Sequence, residues 1–266
     1  MTKGLLYGIK KFPSDLKNSD LLLLFLAVIL AVTSITTVTF FGDRLKISIQ
    51  QQAAVVLGAD AVLRSSSPIS SEYLQQAQHE GLTTAESISF LSMVIVNGDN
   101  LLASIKATSP EYPLRGTLKL RSFDGQIINQ HQGTPRQGYV WVEQKLMDQL
   151  NIPKGGSIVI GDREFIIESV LDDFPDRNIG FLNFSPTVLV NIADLESMGV
   201  ILPGSRVLYR QMFAGNEERL DRFLAGLRNL SPEIRIQQIE NIGQQLGRTL
   251  DRSSRFLSLA GLATII

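Results

Sequence analysis

The chain has 266 residues, enough for one large or two modest domains with a buried core. Its 25 basic and 26 acidic side chains leave a formal charge of −1, so no overall positive charge points to nucleic acid. With no cysteine and only two histidines, His79 and His131, it has no disulfide framework, thiolate zinc site, iron–sulfur cluster, cysteine nucleophile or histidine-rich metal site.

Mean hydropathy is positive, +0.12, because apolar residues concentrate at the two ends. Leu21 to Gly42 contains no charged side chain. Twenty-two residues rise about 33 Å as a helix, the thickness of a bilayer hydrocarbon core. The run is apolar on every face, exceeds a signal-peptide core and is followed by no A-x-A site, so 21–42 reads as a retained transmembrane helix. Four lysines precede it against Asp15 and Asp20, which places residues 1–20 in the cytoplasm. Phe256–Ile266 is a second uncharged run, about half a membrane long, and is expected to start a second transmembrane helix; a C-terminal core helix is the other reading. On the first reading residues 43–255 lie between two membrane helices and face away from the cytoplasm.

The segment between them alternates helix and strand. Residues 43–58 form a predicted helix with Leu45, Ile49, Gln52 and Val56 on one stripe and Gly58 as a left-handed cap. A strand is predicted at 59–64 and a helix from Ser66 to His79, with Ile69, Tyr73, Leu74 and Ala77 on one face. Residues 87–96 and 101–108 are β-rich around Asn97-Gly98, a hairpin signal. Residues 109–138 are rich in proline, glycine and charge and read as a long connection. A strand at 139–142, a helix at 143–150, and a hairpin of 157–160 with 164–171 about Gly161-Asp162 come next. Further on lie a strand at 187–190, a short helix at 193–197 and a strand at 206–213. A helix at 216–229, striped by Leu220, Phe223, Leu224 and Leu227, precedes a strand at 233–239. A last helix at 240–255 carries Ile242, Leu246 and Leu250. Helices segregated against mostly antiparallel strands predict an α+β domain.

The chemistry-bearing motifs are few. There is no G-x-x-x-x-G-K-S/T, no G-x-G-x-x-G and no G-x-S-x-G, so neither phosphate cradling nor a serine elbow has local support. His79 and His131 have no assignable nucleophile partner. Asp172, Asp173 and Asp176 with Arg177 read as a solvated acidic loop holding a local Asp–Arg bridge, in preference to an acid/base pair. No catalytic, cofactor-binding or metal residue is assigned. The remaining feature is mechanical. The stripes of 43–58 and 240–255 either pair as an antiparallel stalk, with a seam of Leu45, Ile49, Gln52, Val56, Ile242, Leu246 and Leu250, or pack separately on the sheet.

Several words resemble the FtsX/MacB/LolC-type permeases of ABC systems, most closely the YbbP-like branch. They are Leu57–Asp60 (LGAD), Tyr112–Gly116 (YPLRG), Tyr139–Val142 (YVWV), Pro175–Arg177 (PDR), Asn183-Phe184, Pro203–Val207 (PGSRV) and Ala214-Gly215. The resemblance implies a transmembrane helix followed by a MacB-like periplasmic domain flanked by stalk helices. Its porter-like part would occupy 59–109 and 186–239, with an inserted β-rich subdomain at 110–185. It implies a multi-pass inner-membrane protein and a separate cytoplasmic ATPase partner, which would bind the ATP that this chain has no motif for. It implies that ATP hydrolysis moves the periplasmic part, which handles a hydrophobic or lipid-like cargo, and it allows a second permease copy or a periplasmic partner. The alternative is a membrane-anchored periplasmic sensor or binding domain acting without an ATPase.

Overall fold

The computed structural model describes residues 19–130, 132–177, 185–202, 204–227 and 230–238. Helix α1 spans Ser19–Leu57, 39 residues or about 58 Å, so the apolar run and the polar segment after it are one helix. Its stretch Leu22–Gly42 has a mean hydropathy of 2.4 and is, among the described residues, the one helix long and apolar enough to cross a membrane. The Thr37 hydroxyl donates to the Thr33 carbonyl at 2.7 Å, so this polar residue is satisfied within the helix.

Residues Gln51–Asn241 make the larger of two compact units. Its first layer is a split βαβ arrangement. Strand β1 (Ala61–Ser65), helix α2 (Glu72–His79) and strand β2 (Thr83–Val96) form one half. Strand β10 (Val207–Ala214), helix α4 (Glu217–Gly226) and strand β11 (Arg235–Gln238) form the other. The four strands lie in the order β11-β1-β10-β2, every neighbour antiparallel. Period 2 puts Ala61, Leu63 and Phe213 on one face, where Ala77 of α2 and Leu220 and Phe223 of α4 cover them. The Phe213 and Phe223 rings meet at 4.8 Å.

The second layer grows out of the first through β2, whose 14 residues outrun β10. Its far half pairs with β3 (Asp99–Thr108), and Val94 and Ile95 also pair with β7 (Ser157–Ile160). Strand β3 runs parallel to β9 (Thr187–Asn191), β9 antiparallel to β6 (Tyr139–Val142), and β6 parallel to β8 (Arg163–Asp173). Because β8 pairs with β7, the strands β2-β3-β9-β6-β8-β7 close into a six-membered ring. Phe165, Ile105, Val140, Val188 and Ile158 fill it, with Leu146 of α3 (Gln144–Gln149) as part of the same core.

Several expectations change. The connection predicted at 109–138 contains strands β4 (Leu118–Arg121) and β5 (Ile127–Gln130). Leu118 and Leu120 point into the core while Lys119 and Arg121 point out, a two-residue period too short to stand out among the flanking glycines. Helix α2 starts six residues late. Ser65 Oγ accepts from Ser67 N and Ser70 Oγ from Glu72 N, turns that hold 66–71 out of the helix. The helix predicted at 193–197 is two short 3-10 turns, Ile192–Asp194 and Glu196–Met198. The ring draws β2, β3 and β9 from outside 110–185, so the β-rich part is an outgrowth of the first sheet, continuous with it. Of the seam, Val56 is 47% exposed. The side chains of Leu45, Ile49 and Gln52, and all of Ile242, Leu246 and Leu250 with the segments 240–255 and 256–266, lie outside the described residues.

Since β2 belongs to both layers, they are expected to unfold together. Phe165→Ala in the ring and Phe223→Ala under α4 should each cost about 3–5 kcal/mol and shift one shared denaturant transition. Two separable transitions, each moved by one variant, would contradict that coupling.

Candidate functional site

The sheet face opposite α2 and α4 carries polar residues at positions where a core strand has apolar ones. On β3, Ile105 and Ala107 enter the ring, so Lys106 points the other way. On β10, Phe213 faces the helices, so Arg210 and Met212 share the Lys106 side. Arg210 lies opposite Ser87, which lies opposite Thr108, two residues from Lys106. Two cations are thus brought together on neighbouring parts of one sheet, and the chain must cover them.

The cover is the DDFPDR turn after β8. Asp176, at a left-handed φ of 57°, turns its carboxylate inward with a side chain wholly buried. Its Oδ1 accepts from Lys106 Nζ and its Oδ2 from Arg210 Nη1. The Tyr112 hydroxyl lies 2.6 Å from Asp176 Oδ1 and 3.0 Å from the Pro175 carbonyl; with one proton, it donates to the charged acceptor. The ammonium of Lys106 also sits 4.7 Å from the Tyr112 ring centroid and 5.3 Å from that of Phe174. Burial alone would raise the Asp176 carboxyl, but Lys106 and Arg210 outweigh it and hold it below its ordinary value. Burial brings Lys106 down to about 8, with Arg210 adding to the fall and Asp176 opposing it. Burial and the Asp176 charge push the Tyr112 phenol well up. The node is buried on every side, with Lys106, Tyr112, Asp176 and Arg210 each under a tenth exposed, and its charges hold chain segments together.

The segments positioned are the ones surrounding the end of α1. The Gly58 carbonyl accepts from the amides of Leu114 (3.0 Å) and Arg115 (2.9 Å). Arg115 forks onto Asp60, with Nε 2.8 Å from Oδ1 and Nη2 2.5 Å from Oδ2, and Asp60 Oδ2 also accepts from the Gly215 amide at 3.0 Å. Gly58, at φ +70°, is the predicted cap, and a Cβ there would stand 2.9 Å from Met212 Cε. A Cβ on Gly116, at φ +87°, would stand 2.7 Å from Pro175 Cγ. The words LGAD, YPLRG, PDR and Ala214-Gly215, scattered between Leu57 and Gly215, therefore meet at one place. YVWV instead serves the ring, where Trp141 Nε1 donates to Glu168 at 3.0 Å. Asn183-Phe184, Pro203 and His131 lie outside the described residues.

The solvated acidic loop is corrected by these contacts. Asp172 pairs with Arg121 at 2.7 Å and Asp173 with Lys119 at 3.3 Å, both partly exposed, while Asp176 is buried. Arg177 bridges to Glu143 at 2.8 Å and, among the described residues, to no aspartate side chain. His79 ends α2 in solvent. Lys106 and Arg210 were detectable in the sequence as lone charges inside the apolar strands LLASIKAT and VLYRQMFA, where a buried charge requires a partner. A separate open cleft of about 280 Å³ lies between Arg121, Phe123, Met147 and Lys154 and holds no histidine.

The model of the MacB-like periplasmic core domain matches residues 21–225. Over 256 residues, 96% of its length, the chain is 31% identical to the uncharacterized ABC transporter permease YbbP of Escherichia coli (strain K12). It covers 31% of that protein and so spans about a third of its length. The extracellular domain of the noncanonic ABC-type transporter YknZ from Gram-positive bacteria matches with a TM-score of 0.43 and 11% identity, over 67% of this chain and 100% of that one.

Asp176→Asn leaves two buried cations without their counter-charge and should cost about 3–5 kcal/mol in denaturant unfolding. The pH dependence has a defined sign. Asp176, lowered from 3.8, stabilises above that value and loses its contribution as pH falls below it. Lys106, lowered from 10.5 to about 8, binds fewer protons folded than unfolded, so its contribution rises from about pH 8 towards 10.5. The stability difference between wild type and Lys106→Met should therefore grow in favour of wild type across pH 8–10, and a flat difference would contradict the burial of a titrating lysine.

Proposed function

Since the chain belongs to the MacB-like periplasmic core domain family, we propose that it is the N-terminal part of the permease subunit of an ABC system of the type VII, mechanotransmission-like kind. In this reading residues 1–20 are cytoplasmic, α1 crosses the inner membrane at 21–42, and residues 43–255 are periplasmic. A second span begins at 256–266, and the full-length protein is multi-pass. ATP is bound and hydrolysed by a separate cytoplasmic subunit, and this chain is not an enzyme. The domain handles a hydrophobic or lipid-like cargo.

The observation that carries the reading is that the chain leaving the last turn of α1 is bonded to the sheet through Gly58, Asp60, Arg115 and the Asp176 node. A helix that ends in a flexible linker would lose a push or a rotation in the linker. Here the residue after the last helical turn is bonded directly to the segment that Tyr112 and Asp176 pin to the sheet. In this reading a displacement of the last turn of α1 is passed to the sheet through these bonds, which is what a mechanical relay requires and what a passive tether does not. A stalk formed by 43–58 with 240–255, along the seam from Leu45 to Leu250, would steady the same input.

The test uses the full-length protein purified from native membranes. The co-purifying polypeptides are identified by mass spectrometry, and thiol accessibility of Ser122→Cys is compared with and without ATP plus vanadate. The expected result is a co-purifying ATP-binding cassette subunit and nucleotide-dependent labelling that is lost in Asp60→Ala/Arg115→Ala while the subunit stays bound. Absence of any such subunit would favour the sensor reading, and unchanged coupling in the double variant would remove the relay through these residues.

A further inference from the structure

The row of residues containing Arg210 continues outward across the sheet. Arg210 on β10 lies opposite Arg64 on β1, and Arg64 lies opposite Arg235 on β11, all on the face away from α2 and α4. Neighbouring strands are about 4.8 Å apart, so the backbone positions of the three arginines span about 10 Å. Like charges directly opposite one another destabilise a sheet, and nothing in the fold of these strands requires three arginines there. Beyond the backbone pairing of the sheet, the side chains of Arg64 and Arg235 form no hydrogen bond or ion pair with a described residue. Arg210 is 3% exposed, and its Nε and Nη2 have no hydrogen-bond partner among the described residues, since Asp176 takes only Nη1. Asp176 is already shared with Lys106, so it cannot compensate the row. Burial and the charges of Arg210 and Arg235 lower the Arg64 guanidinium, consistent with their packing.

We propose that Arg235, Arg64 and Arg210 form a binding site for a phosphate-type oxyanion at the β11 edge of the sheet face away from α2 and α4. Arg64, half-buried, and Arg235, exposed on the edge strand, supply the forks that contact the oxygens. Arg210, one strand further in, adds its positive field from below. A carboxylate group carries one charge on two oxygens in one plane, and the two groups of a dicarboxylate are held apart by their linker. A phosphate gathers up to two charges and three or four tetrahedral oxygens on one centre and can meet two adjacent forks at once. The oxyanion is either free phosphate or the headgroup of a phospholipid. The site stands independently of ATPase coupling and of the Asp60–Arg115 joint.

The test is calorimetric titration of the whole chain in neutral detergent with inorganic phosphate, with dihexanoyl phosphatidic acid and with succinate. The variants Arg64→Gln and Arg235→Gln are compared with wild type. Wild type is expected to bind at least one phosphate probe about tenfold tighter than either variant, and to bind succinate no better than the variants do. If inorganic phosphate binds and displaces the lipid, the free oxyanion suffices; if only phosphatidic acid binds, the source is a headgroup. Without phosphate, both variants should melt no lower than wild type, because they relieve repulsion. Binding of neither probe, equal binding by the variants, equal response to succinate, or a lower melting temperature in the variants would overturn the site. None of these readouts involves a partner subunit, so this proposal and the relay fail separately.

Discussion

A single buried carboxylate organises the base of this domain. Asp176 accepts from Lys106, Arg210 and Tyr112, which come from two strands and a connection that are far apart in the chain. Removing two cations from water costs several kcal/mol each, so the sheet tolerates Lys106 and Arg210 only with the turn closed over them. That dependence runs in both directions. The turn takes a left-handed residue at Asp176, a conformation that costs roughly 1–2 kcal/mol, and the ionic contacts offset it. An apolar node of equal volume could be as stable. What the ionic one supplies is a single permitted arrangement, because a shifted register would strand a charge.

From that point the architecture follows the long strand β2. Its first half completes a four-stranded split βαβ sheet and its second half starts the closed ring, so the two layers share backbone hydrogen bonds as well as side chains. Ring closure removes edges that six open strands would expose. The polar face of the first sheet lies beside the ring, and the YPLRG and PDR segments fill that corner before the chain returns to the end of α1.

Local patterns were legible wherever one residue period or one cap decided the outcome. The uncharged run in α1, the cap at Gly58, the hairpin of β7 and β8, and the Leu220–Phe223 stripe of α4 are of this kind. Strands β4 and β5 were hidden because four residues among turn formers carry almost no periodic signal. The Asp172–Arg177 stretch misled because an acidic turn has the same composition whether it is solvated or closed over buried cations. Only the pairing of β3 with β2 and of β2 with β10, which are long-range facts, puts Lys106 and Arg210 under Asp176. Membership of the MacB-like periplasmic core domain family was legible in part because four of its words, LGAD, YPLRG, PDR and Ala214-Gly215, are contact points of this joint, spread along the chain but adjacent in space.

The claim on which the rest depends is that Asp176 holds the end of α1 to the sheet. Native-state hydrogen exchange at the amides of Leu114 and Arg115, which donate to the Gly58 carbonyl, reads that joint directly. In Asp176→Asn these two amides, with that of Gly215, should lose protection while Ile105 and Val188 in the ring keep theirs. Retained protection at Leu114 and Arg115 in a variant that is destabilised elsewhere would contradict it.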